Sequence, residues 1–154
     1  MSELKNINDI IAKYKFLQVG PDGGRNKNGF IYDLKIFGIE IPQGWNNLFD
    51  LLCQFIGDFI GEDNIFVSQI KEKWGELRFY YQLSGDFSKK QTEIIDNFIA
   101  EFTILSQITC AVCGEPGYIR NELGWLTPYC DEHFYLEKIK VKNFDKKYKN
   151  GWKK

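Results

Sequence analysis

The chain has a single histidine, His133, among its 154 residues. A Ser-His or Cys-His dyad therefore has one candidate base, and the metal pattern described below claims it. An HNH-type nuclease needs a catalytic His of its own, and a zinc deaminase needs an H-x-E motif well before its Cys pair. Neither is present, nor is a P-loop or a G-x-G-x-x-G stretch. No apolar run approaches the ~20 residues that a membrane helix needs. The opening residues, MSELKNINDI, lack the basic stretch followed by an apolar run that marks a signal peptide. These absences lead us to expect a non-enzymatic, soluble intracellular protein that makes no membrane contact. They leave its oligomeric state open.

The chain is rich in aromatics (16%, with 13 Phe) and in hydrophobic residues generally (44%). That excludes a disordered chain, because enough apolar surface is available to offset the entropy of ordering. The length suits one domain with its own core. The formal net charge of −1 hides an asymmetry. Residues 137–154 hold eight Lys against Glu137 and Asp145, a net of +6, so residues 1–136 sum to −7. The molecule is an acidic body with a basic tail.

Apolar periodicity divides the body. Leu4, Ile7, Ile10, Ile11 and Tyr14 predict a helix over residues 2–17. Glycines and asparagines make 18–29 a loop, and FIYDLKIF at 30–37 alternates like a strand. Trp45, Leu48, Phe49, Leu52, Phe55, Ile56 and Phe59 form the apolar stripe of a helix over 45–60, opposite Asn46, Asn47, Asp50, Gln54 and Asp58. Gly61 is its stop signal. Two strands, 64–70 and 76–83, flank the linker KEKWG at 71–75 and predict an antiparallel hairpin. Ser88 and Gln91 match a capping box that opens a helix to about residue 106. A last helix runs from about 131 towards 149. The expected fold is α+β: an antiparallel sheet of about three strands packed by helices (residues 1–108), then a zinc-ribbon or treble-clef-like knuckle and a terminal helix (109–154) in the same compact domain.

The most specific pattern lies in that last part. Cys110 and Cys113 form a C-x2-C pair, and sixteen residues later Cys130 and His133 form a C-x2-H pair. Thiolates and imidazole are the ligands a tetrahedral zinc ion prefers. Gly114 allows the sharp bend after the first pair, and Pro116, Gly117, Asn121 and Gly124 can return the chain as a small hairpin. Four protein ligands leave no position for water, so one structural zinc is expected rather than a catalytic one. A redox C-x-x-C is a weaker reading, because no βαβ pattern accompanies it. Cys53 sits in an apolar helix and reads as a core thiol.

Two further segments are candidate partner sites. In the hairpin, Lys71, Lys73 and Arg78 are able to grip phosphate and Trp74 to stack on a base, while Glu72 and Glu76 could form an acid/base pair. The plainer alternative is a solvated turn. In the tail, Leu136, Lys140, Phe144, Tyr148 and Trp152 recur every four residues beside lysines such as Lys147. That helix either docks on its own domain or serves a partner: a protein, a nucleic-acid backbone or a second copy.

Three phrases together carry a family likeness. They are KEKWGELRFY from Lys71 to Tyr80, Gly44-Trp45, and the segment with Cys110, Cys113-Gly-Glu-Pro-Gly, Gly124-Trp125 and Cys130-Asp-Glu-His133. Over residues 30–134 the chain resembles a group of small bacterial and phage-borne proteins to which no function is attached. The resemblance implies a prokaryotic or phage cytosolic setting and zinc at the four named residues. The expected function is binding of a protein partner, in a phage setting a host defence or toxin protein. Nucleic-acid binding through the tail and hairpin is the alternative, and a metal-assisted hydrolase using acidic residues is the third.

Overall fold

The computed structural model describes residues 2–18 and 38–149. The strand expected at 30–37, nearly all of the loop before it, and Trp152 lie outside them.

The body is built around one helix. After a 3-10 turn at Gln43–Trp45, helix α2 (Asn46–Phe55) runs into a π turn at Ile56–Ile60 and stops at Gly61, whose φ of 85° suits only glycine. Trp45, Phe49, Leu52, Cys53 and Ile56 are fully buried, as the apolar stripe requires, whereas Phe59 is exposed. The opposite face is not all solvated: Asn46 and Asp50 are buried as well. The reason is the first helix, which is shorter than the sequence pattern suggests. Helix α1 (Ile7–Lys13) begins at the cap Asn6, whose side chain accepts from the Asn8 amide, and residues 2–6 are not helical. A 3-10 turn follows at Lys15–Leu17. The segment lies over the polar side of α2. There Asp50 accepts from the Tyr14 hydroxyl at 2.8 Å and pairs with Lys5 and Lys13, and Asn46 donates to the Lys5 carbonyl at 2.8 Å.

The sheet departs from expectation in one respect. Strands β2 (Ile65–Lys73) and β3 (Glu76–Leu83) are antiparallel, but the third strand, β1 (Ile39–Glu40), pairs with β2 in parallel. The sheet is therefore mixed, because β1 reaches it from the far side of the α2 connection rather than through a hairpin. The expected five-residue linker is also shorter: the strands run on to Lys73 and Glu76 and leave a two-residue turn, Trp74-Gly75. A register shift between Val67 and Gln69 moves the buried positions of β2 from Ile65 and Val67 to Ile70. Helix α3 (Lys89–Gln107) carries the capping box: Ser88 Oγ accepts from the Gln91 amide, and the Gln91 side chain accepts from the Ser88 amide. Its Ile95, Ile99 and Phe102 close the core against α2 and the sheet.

The C-terminal part is a two-stranded hairpin, β4 (Tyr118–Arg120) and β5 (Thr127–Tyr129), followed by helix α4 (Asp131–Lys149). Among the described residues no helix is long and apolar enough to cross a membrane.

Candidate metal centre

The chain forms a tight knuckle before β4. Gly114 takes φ 78° and its amide donates to the Cys110 carbonyl at 3.0 Å, which turns Cys113 back towards Cys110. The hairpin β4–β5 then closes between Asn121 and Gly124, with the Gly124 amide on the Asn121 carbonyl. It delivers Cys130 to the start of α4, and His133 follows in the first helical turn. Gly117 has to be small, because a Cβ there would lie 2.8 Å from the Tyr129 backbone.

The ligand atoms of Cys110, Cys113, Cys130 and His133 all lie within 4.8 Å of one another. Cys113 Sγ is 3.9 Å from Cys130 Sγ. His133 Nδ1 is 3.1 Å from Cys130 Sγ and 3.8 Å from Cys110 Sγ. A tetrahedral ion with metal–sulfur bonds of about 2.3 Å holds its sulfurs about 3.8 Å apart. The four donors match that cage, so this group can hold a metal ion. No disulfide links the cysteines. Burial pushes the Cys110 thiol up, but amides of Cys130, Cys113 and Val112 directed at its sulfur outweigh this and hold it below an ordinary thiol. Cys113 is pushed up to about 11, by burial and by the neighbouring Cys110 and Cys130 sulfurs. Converging thiolates repel one another, and a bound cation removes that repulsion.

Contacts that periodicity does not announce support the cage. The Arg120 guanidinium lies 3.9 Å from the Tyr118 ring centre and 4.3 Å from that of Phe134, and it pairs with Asp131. This clamps β4 to the first turn of α4. The body holds the knuckle through Gly44 and Trp45. The Gly44 amide donates to the Ala111 carbonyl at 2.9 Å, and Trp45 Nε1 donates to the Thr109 carbonyl at 3.0 Å. On the solvent side, Cys113, Cys130 and His133 border an open cleft of about 770 Å³, shared with Glu3, Leu4, Gln43 and Glu132. Reading residues 2–17 as one helix hides this contact, because the non-helical residues 2–6 are what bring Leu4 to the knuckle. A Cβ on Gly114 would lie 3.1 Å from Leu4 Cδ2.

The hairpin candidates are brought together but are largely engaged. Lys71 faces Arg78 across the strands, and its Nζ lies 5.5 Å from the Tyr80 ring centre. Lys73 Nζ lies 4.5 Å over the Trp74 ring. Arg78 pairs with Glu76, and Glu76 also accepts from Gln107. Glu72 accepts from the Gly75 amide at 2.6 Å. The two carboxylates thus serve the turn and its strand rather than a shared acid/base site. Trp74 itself is 65% exposed at the tip, with φ 56°. Beside it, a Cβ on Gly75 would touch Ile119 and the Leu126 carbonyl, so the tip of the β2–β3 hairpin meets the β4–β5 hairpin along its strands, at β4 and just before β5.

The tail candidates lie apart from all of these. Beyond its first turns α4 is exposed: Tyr135, Leu136, Ile139, Phe144 and Tyr148 all face solvent, with Phe144 at 62%. The Phe144 and Tyr148 rings lie 4.3 Å apart, Lys140 pairs with Glu137, and Lys147 Nζ is 5.5 Å from the Tyr148 ring centre. Among the described residues, helix α4 has its main contact with β5 at its base, in the metal centre, and the side chains named above beyond it are exposed. Comparison with family models, with curated proteins and with solved structures finds no match to this chain.

Proposed function

We propose that the chain is a zinc-stabilised, non-enzymatic interaction protein that holds out a basic, aromatic helix to a protein partner. The observation that carries this reading is the position of α4: its base is built into the Cys3His cage, and among the described residues its apolar and lysine side chains beyond are exposed. Zinc is the metal that three thiolates and an imidazole in a tetrahedron favour, and four protein ligands make it structural. Its binding energy orders a lobe that has little core of its own.

Trp74 supports a second contact point. A bulky residue at positive φ is strained, and such strain is retained where it serves a site. The acidic body counts against nucleic acid as the partner, since it opposes a polyanion approaching the lysines.

Elemental analysis of natively purified protein is expected to give one zinc per chain; absence of metal defeats the assignment. Capture of a stoichiometric protein from the native cell is expected to fall at least tenfold with Phe144→Ala/Tyr148→Ala. If nuclease treatment abolishes capture, the nucleic-acid reading replaces this one.

A further inference from the structure

The exposed face of α4 has a complement on the same chain, on another exposed surface. Helix α3 buries Ile95, Ile99 and Phe102, but its outer side is not simply polar. Ile104 (59% exposed), Leu105 and Ile108 (54%) stand on that side with Glu93, Asn97 and Glu101. A solvated helix face normally carries no such run of large apolar residues. Glu93, Asn97, Glu101 and Leu105 form one i+4 row, and Ala100, Ile104 and Ile108 form the next. On α4 the matching row is Leu136, Lys140, Phe144 and Tyr148, with Lys147 beside it. One row is acidic and aliphatic; the other is basic and aromatic.

We infer that α4 of one copy packs along the outer face of α3 of a second copy, and reciprocally, so that the protein is a two-fold dimer. This rests on the reading of α4 as a binding element and names its occupant. Charge selects that occupant. From Lys138 to Lys149 the arm carries six Lys against Asp145 alone, so arm-to-arm pairing is repulsive. The body as a whole is acidic, −7 over residues 1–136, and on the outer side of α3 it presents Glu101 and Glu93, the latter 4.0 Å from Lys89, so reciprocal exchange brings opposite charges together within one assembly. Size agrees. Both helices have 19 residues. Each is therefore about 28 Å long and roughly 10 Å wide. A two-fold pair uses two such faces per copy, roughly 560 Å² in projection, approaching the roughly 800 Å² per partner of a specific interface. Apolar contact at Ile104, Leu105, Phe144 and Tyr148 supplies the association, and Glu93 and Glu101 opposite the lysines set its direction.

The test is sedimentation equilibrium of the zinc-loaded full chain. A dimer is expected, weakened at least tenfold by Phe144→Glu/Tyr148→Glu and equally by Ile104→Glu/Leu105→Glu. All four side chains are exposed, and circular dichroism and melting should show both variants folded. Mixing the two variants, each monomeric alone, should restore a pair through the one intact arm and the one intact α3 face. Glu93→Lys/Glu101→Lys should weaken the dimer at low salt and less at high salt. A monomeric wild-type chain overturns the inference, as does a dimer indifferent to the α3 variant or a mixture that fails to pair. A monomer that still captures a foreign protein through an intact arm leaves the wider reading standing; a monomer that captures nothing sinks both.

Discussion

At the scale of single residues, Gly44 joins the body to the metal lobe. Its φ is not unusual; what it provides is space. A Cβ there would lie 2.6 Å from the Ala111 carbonyl carbon and 2.8 Å from its oxygen, against backbone that cannot give way. Gly44→Ala is expected to destabilise the protein by about 1–3 kcal/mol, the usual cost of overpacking. It should also weaken metal retention against a competing chelator, because Ala111 lies next to the ligand Cys110. An unchanged denaturation midpoint would show that the knuckle tolerates displacement. Trp45 beside it is the larger structural anchor, with no exposed surface and its indole N–H on Thr109. Arg120 shows how much a single side chain can order when it sits between two rings and pairs with Asp131.

At the scale of elements, the β2–β3 hairpin is held by a turn that its sequence does not favour. A two-residue turn with positive φ at both positions suits Asn-Gly, and this one has Trp-Gly. Trp74→Asn is therefore expected to stabilise the protein by about 1 kcal/mol, the strain of a non-glycine residue at left-handed φ. It should at the same time weaken partner capture. A variant that is less stable would mean that Trp74 packs on Lys73 and its surroundings more than it binds. Helix α3 shows the opposite agreement of local signal and structure: the Ser88–Gln91 box sits where its spacing says, and removal of such a cap typically costs ~1 kcal/mol.

At the scale of the molecule, the chain consists of a core built without the cage residues and a lobe built around them. Ile70, Leu77, Ile95, Phe49 and Leu52 pack together without any cage residue. Chelation at neutral pH is expected to raise amide exchange across residues 109–135 by orders of magnitude while α2 and α3 stay protected, read by hydrogen exchange and mass spectrometry. Loss of protection throughout would show that the Gly44 and Trp45 contacts make the two parts one cooperative unit. Loss of the lobe should also release the base of α4, and with it whatever the arm binds.

Much of this was legible from residue patterns. The cage residues are close in sequence and their spacing is local chemistry, so Cys110, Cys113, Cys130 and His133 could be named from the chain alone. The same holds for the start of α3, whose capping box lies where the spacing of Ser88 and Gln91 puts it. Features set by distant segments could not be read this way. Asp50 looks like a solvent residue until Lys5, Lys13 and Tyr14 close over it. The sheet is mixed because β1 joins β2 across a long connection, which no period of two encodes. The terminal helix has the same amphipathic pattern whether it folds back or stands away. Only the tertiary structure decided that, by rooting α4 in the metal centre and leaving Phe144 and Tyr148 exposed among the described residues.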